Sequence, residues 1–189
     1  MDSLLGSLVG SALSEMGDRN QWLFLALMLH FGERQRVLVG LILAVTINSF
    51  ISAISGRWLG SMMTDYPQLL FLGMALFLSG ITMFFEPWRK KKVPEDASNV
   101  LRTSFLSFLF LGFADRSQFI VAANAARDVT FVYSAIGGII GICLAMMPVL
   151  IFGRSFARRF RIKWVRKISG VLLIVGAIML ALRALSLIH

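Results

Sequence analysis

The chain has 189 residues, 57% of them hydrophobic, a mean hydropathy of +0.77, a net charge of +9 and a pI near 10.8. That apolar excess excludes an ordinary soluble domain and predicts an all-α membrane protein, since six spans of about 20 residues each leave only short connections. A single cysteine, Cys143 in an apolar run, excludes a disulfide framework or thiolate metal site, and the basic residues sit beside apolar segments, as expected for topology and lipid headgroups rather than nucleic acid.

Six hydrophobic segments are predicted, at 4–30, 37–59, 68–86, 103–126, 130–153 and 166–187. No Lys or Arg precedes Glu15, so the first segment lacks the positive flank of a signal peptide and is taken as a span. Within it lies Glu15-Met16-Gly17-Asp18-Arg19-Asn20-Gln21. A charge in mid-span costs about 2.5–3.5 kcal/mol on insertion scales, a cost that an ion or proton pathway justifies. The second segment spaces Ser52, Gly56 and Gly60 by four, a pattern for close helix contact. After the third, Pro87, Arg89-Lys90-Lys91-Lys92, Pro94 and Glu95-Asp96 mark a solvated linker. The fourth carries a second motif, Gly112-Phe113-Ala114-Asp115-Arg116-Ser117-Gln118, and each motif-bearing span is expected to be broken or kinked. The fifth and sixth again space small residues by four, at Gly137 and Gly141 and at Ala177 and Ala181.

Asp18 and Asp115 are 97 residues apart, and the same offset aligns Ser7 with Ser104, Gly40 with Gly137, Gly56-Arg57 with Gly153-Arg154 and Gly73 with Gly170. The register predicts a duplication, with three-helix repeats at 1–88 and 101–189 joined by a charged linker at 89–100. Three spans per repeat is an odd number, so the halves insert in opposite senses, with the functional site at the midplane between them. Loops 31–36, 87–102 and 154–167 and their flanks hold 14 basic residues, whereas Arg57, Arg127 and Arg183 are the three on the other side. The positive-inside rule then places those loops in the cytoplasm and both termini outside, in a multi-pass protein of the inner membrane.

Of ten acidic residues, Glu15, Asp18 and Asp115 lie deep in the spans, while Glu33 and Asp65 are among those at segment ends or in loops. On a continuous helix Glu15 and Asp18 share a face, and Gly17 between them permits a break that frees backbone carbonyls. With Asn20, Gln21, Ser117 and Gln118 they form a set of hard oxygen donors suited to Mn²⁺, Ca²⁺ or Mg²⁺. His30 and His189 lie at segment ends, leaving a zinc or copper site without enough ligands. Arg19 and Arg116 follow the two Asp residues directly, and neighbours about 100° apart on a helix are poorly placed to bridge each other. They are expected to reach the opposite repeat, a free carbonyl or the interface; the competing interpretation is a structural ion pair within each motif.

The first motif resembles the E-x-G-D-[KR]-[ST] signature of a small membrane family of cation/proton exchangers, which includes bacterial manganese exporters and Golgi manganese and calcium transporters. The resemblance extends over both three-span halves and the charged central loop. It implies that the motif carboxylates bind a divalent cation and exchange it for protons, with no resident cofactor. Asn20 departs from the expected Ser or Thr, Gly112 stands in place of the second Glu, and Ala114 in place of Gly. Three motif carboxylates against Arg19 and Arg116 leave a formal charge of −1, where the full pattern would leave −2. The expected function is export of a divalent cation, Mn²⁺ before Ca²⁺, in exchange for protons, with the bilayer and the cation as partners and homo-oligomerisation left open. Export of a small amino acid or cationic solute, or a non-transporting membrane role, are the alternatives. No nucleophile–His–acid set is present, so an enzyme is not expected.

Overall fold

The computed structural model describes residues 2–85, 99–156 and 161–185, and within them the chain is all-helical. The helices are α1 (Asp2–Glu15), α2 (Arg19–Phe31), α3 (Arg34–Gly60), α4 (Asp65–Phe85), α5 (Val100–Gly112), α6 (Arg116–Ala126), α7 (Phe131–Phe152), a 3-10 turn at Gly153–Ser155, and α8 (Ile162–Ala184). Most of the predicted linker at 89–100 and part of the 154–167 loop lie outside the described residues.

Four helices are long and apolar enough to cross a membrane: α3, α4, α7 with its 3-10 turn, and α8. The pair α5 and α6, bent by 64° at the second motif, brings the count to five if it is one broken span. The helix ends depart from the predicted segments by a few residues. α4 begins at Asp65 rather than 68 because Pro67 is tolerated in a first helical turn, where its missing N–H has no intrahelical partner. α8 begins at Ile162 rather than 166 because Lys163, Arg166 and Lys167 continue the helix while carrying their charges towards the interface.

Both motif-bearing segments break at the motif. Gly17 has φ +75° between α1 and α2, and Ala114 has φ +55° between α5 and α6. Glycine adopts that conformation freely, whereas alanine is strained there by about 1–2 kcal/mol. Asp18 and Asp115 follow as the N-caps of α2 and α6, both in extended backbone.

The surface of the long helices is apolar, as lipid solvent requires, and the interior mixes an apolar core around Phe24, Leu27, Leu41 and Met146 with buried polar side chains. Leu43, Ile54, Phe77, Met147 and Met179 are exposed on the long helices, whereas Ser7, Ser11, Ser14, Ser49, Ser104 and Ser134 are buried at helix contacts. α1 packs on α7, α5 on α3, α4 on α8, and α3 on both α6 and α7. Small residues set these approaches. A Cβ on Gly56 or Gly60 would strike the backbone of Ala122 or Ala126 on α6.

The 97-residue register recurs in this packing. α1 and α5 end, and α2 and α6, α3 and α7, and α4 and α8 begin, at residues 97 apart. Gly137 of α7 abuts Leu4 and Ser7 of α1, and Gly40 of α3 abuts Leu101 and Ser104 of α5. Each residue of the first contact lies 97 positions from its counterpart in the second. Likewise Gly73 faces Ala177 and Gly170 faces Gly80 across the α4–α8 contact.

Candidate cation site

The two helix breaks bring Glu15, Asp18 and Asp115 together: one oxygen from each lies within 4.8 Å of the others, and all three residues are buried. Oxygens on opposite sides of a bound Mg²⁺ or Ca²⁺ are about 4–5 Å apart, so this spacing suits a single cation. The N-termini of α2 and α6, where the two Asp residues hold the N-cap positions and Asp115 alone accepts a helix N–H, add favourable partial positive charge beside the carboxylates.

Hydrogen bonds knit the two motifs. Asn20 Nδ2 donates to Glu15 Oε2 at 2.9 Å and to Asp115 Oδ2 at 3.1 Å. Ser117 Oγ donates to Glu15 Oε1 at 2.7 Å, so Glu15 is held by one residue from each motif. Asp115 Oδ1 accepts from the N–H of Arg116 at 2.8 Å. Gln21 acts on the backbone: its Oε1 accepts from the N–H of Gly17 at 3.0 Å and its Nε2 donates to the carbonyl of Ala145 on α7.

The arginines pair crosswise. Arg19 Nη2 lies 3.3 Å from Asp115 Oδ1, and Arg116 forms an ion pair with Asp18. Arg116 also reaches Thr82 Oγ1 on α4 at 3.3 Å, and its Nε stands 4.0 Å from Asp115 Oδ1. Its side chain is 12% exposed, against 44% for Arg19. Of the routes left open by the sequence, each arginine takes the one to the opposite motif, and Arg116 also borders its own Asp115.

Several oxygens around the cluster have no hydrogen-bond partner among the described residues although they are buried: Asp18 Oδ2, Asn20 Oδ1, Asn48 Oδ1 and Gln118 Oε1. A buried polar atom without a partner costs about 1–3 kcal/mol. Four of them around one acidic cluster make a set of hard donors ready for a cation. A cavity of about 10 Å³, roughly the room that one water-sized sphere needs, is lined by Glu15, Asn20, Asn48, Gly112, Ser117 and Gln118 among others. A wider cavity of about 430 Å³ reaches Asp115, Arg19 and Arg116 from Thr82 and Phe85 at the C-terminal end of α4.

Sequence reasoning placed Glu15, Asp18, Asp115, Arg19, Asn20, Gln21, Arg116, Ser117 and Gln118 near one another, and the fold brings all nine to the two breaks. It missed Asn48, an amide buried in the middle of α3, and Arg166 of α8, whose side chain packs where a Cβ on Gly17 would stand. Asn48 had a signal, as the lone amide of its span; Arg166 had none beyond its place in a basic run.

The family model described as "Divalent cation/proton antiporter GDT1" matches residues 3–91 and 100–187 of the chain. A protein of Vibrio cholerae serotype O1 named "Putative manganese exporter" is 27% identical over 185 residues, which cover 94% of this chain and 90% of the relative. No solved structure matches.

Proposed function

The chain belongs to the divalent cation/proton antiporter family, and we propose that it exports Mn²⁺ from the cytoplasm in exchange for protons, with Glu15, Asp18 and Asp115 as the exchanging groups. The observation that carries this reading is the convergence of the three buried carboxylates within 4.8 Å of one another.

Cation and protons compete for the same oxygens. With the cation bound, Glu15, Asp18 and Asp115 ligate as carboxylates, and Arg19 and Arg116 balance part of their charge. Asn20 now turns its Nδ2 towards Glu15 and Asp115 and leaves Oδ1 unpartnered. A half-turn of that amide exchanges donor for acceptor and adds an oxygen to the cation. When the cation leaves, protons take its place, because three like charges so close in a dry interior repel one another. Hard oxygen ligands favour Mn²⁺, Ca²⁺ or Mg²⁺ over softer metals. The name of the Vibrio relative favours Mn²⁺ among them.

The architecture we propose is six spans in two inverted three-helix repeats in the inner membrane, with α1–α2 and α5–α6 as broken spans and both termini outside. Its support is the 97-residue recurrence of helix ends and glycine contacts, the two stretches over which the family model matches, and the bias of 14 basic residues against three. The 430 Å³ cavity that reaches Asp115 is lined by Thr82 and Phe85 at the end of α4 that this orientation assigns to the cytoplasmic side, from which an exporter loads.

The test is cellular metal content. A strain lacking the protein should hold several-fold more manganese and grow poorly in its excess, and the intact gene should restore both. Unchanged manganese content in the deletion strain contradicts the reading.

A further inference from the structure

The missing fourth carboxylate leaves a gap in the second half, and a residue from another helix stands against it. Gly112 lines the 10 Å³ cavity, and a Cβ built on it would lie 2.9 Å from Asn48 Nδ2, the one atom within 4 Å among the described residues beyond its own stretch of helix. Asn48 is 3% exposed; its Nδ2 donates to the carbonyl of Leu109 on α5 at 3.1 Å, and its Oδ1 has no hydrogen-bond partner among the described residues. The amide therefore enters the cavity from α3, anchored through its nitrogen and holding an unused oxygen.

The 97-residue register turns this into a reciprocal exchange. The counterpart of Gly112 is Glu15, and the counterpart of Asn48 is Ala145. α1, which bears Glu15, packs on α7, which bears Ala145; α5, which bears Gly112, packs on α3, which bears Asn48. One helix pair thus combines an acid with alanine, the other glycine with an amide. At these four positions each pair brings one oxygen-bearing side chain, and in the second pair it comes from the other helix.

We propose that Asn48 is a cation ligand of this transporter, its amide oxygen standing in for the carboxylate that Gly112 cannot supply. The inference rests on the cation-exchange reading above. A carbonyl oxygen is a hard donor as a carboxylate is, so the site keeps its preference for Mn²⁺-, Mg²⁺- or Ca²⁺-like ions. It brings no charge, so the site holds its cation with three carboxylates rather than four.

Mn²⁺ binding to purified protein, measured by calorimetry, tests it. Asn48→Leu keeps the branched shape with somewhat more bulk and removes both the oxygen and the N–H, and Asn48→Asp keeps an oxygen and removes only the N–H that holds Leu109. The ligand role predicts that Asn48→Leu weakens Mn²⁺ binding about tenfold or more, while Asn48→Asp binds at least as tightly as wild type. If Asn48 only props α5 through Leu109, both variants weaken equally, and the proposal is wrong. The double variant Asn48→Ala/Gly112→Glu covers the case in which Asn48→Leu does not fold. It clears the cavity and restores a carboxylate, and should bind Mn²⁺ at least as tightly as wild type; weaker binding by the folded double variant overturns the proposal. Wild type that binds no Mn²⁺ would sink the exchange reading and this inference together. Wild type that binds, with an Asn48→Leu variant that binds equally well, would sink this inference alone.

Discussion

Asn20 of the first motif donates a hydrogen bond to Asp115 of the second, at 3.1 Å, while the same nitrogen holds Glu15 at 2.9 Å. A serine or threonine in its place has a hydroxyl with one proton and a shorter reach, as Ser117 shows by donating to Glu15 alone. The asparagine therefore ties together two carboxylates that arrive from segments nearly a hundred residues apart. The crossed ion pairs of Arg19 with Asp115 and Arg116 with Asp18 make the same link by charge. Asp18 therefore takes its arginine from the second motif, and Asp115 is bordered by one arginine from each.

The two arginines should not be equivalent. Arg116 is nearly buried and touches Asp18, Thr82 and Asp115, whereas almost half of the Arg19 side chain is exposed. Removing one partner of a buried pair costs about 3–5 kcal/mol, while an exposed pair is worth about 1 kcal/mol or less. Arg116→Ala should sharply lower the amount of folded protein recovered, and Arg19→Ala should leave it near wild type. Thermal melting of the purified variants checks this, and an equal loss in both would contradict the asymmetry.

The strained break offers a milder probe. Ala114 occupies φ +55°, where alanine costs about 1–2 kcal/mol and glycine does not. Ala114→Gly should raise the melting temperature slightly, by no more than the few degrees that about 1 kcal/mol represents. The reciprocal change, Gly17→Ala, should destabilise, because it adds strain at φ +75° and thrusts a methyl group against Arg166. A melting temperature lowered by Ala114→Gly would show that the second break does not need its left-handed residue.

Much of this was legible in the chain because membrane sequences report polar exceptions clearly. Glu15, Asp18 and Asp115 stood out against apolar surroundings, Gly17 announced a break, and the spacing by four at Gly56 and Gly60 announced a close helix contact. What the sequence could not supply was the pairing of elements distant in the chain. Asn48 gains meaning only when α3 lies against α5, and the carbonyl of Ala145 becomes the anchor of Gln21 only when α7 lies against α2. The second break was expected from the motif alone; what alanine did not announce is that its own backbone would take the left-handed turn at φ +55°.

Topology can be tested at described positions. Val129, in the turn between α6 and α7, is 84% exposed and should lie outside; Glu33, between α2 and α3, should lie in the cytoplasm. In a background with Cys143 replaced by Ala, a membrane-impermeant maleimide added to intact cells should label Val129→Cys and not Glu33→Cys. Labelling of both from outside would contradict the proposed orientation.

Proton-driven Mn²⁺ flux across proteoliposomes of purified protein tests the central claim most directly, with Asp115→Asn as the comparison. Asp115 meets both arginines and Asn20, and the substitution removes its charge with little change in volume. Wild type should move Mn²⁺ against a pH gradient and stop when the gradient is collapsed, Asp115→Asn should lose at least about 90% of that flux, and Glu33→Gln and Asp65→Asn, at helix starts remote from the cluster, should retain it. Undiminished Mn²⁺ flux through folded Asp115→Asn protein, or wild-type flux indifferent to the pH gradient, would contradict exchange at the three carboxylates.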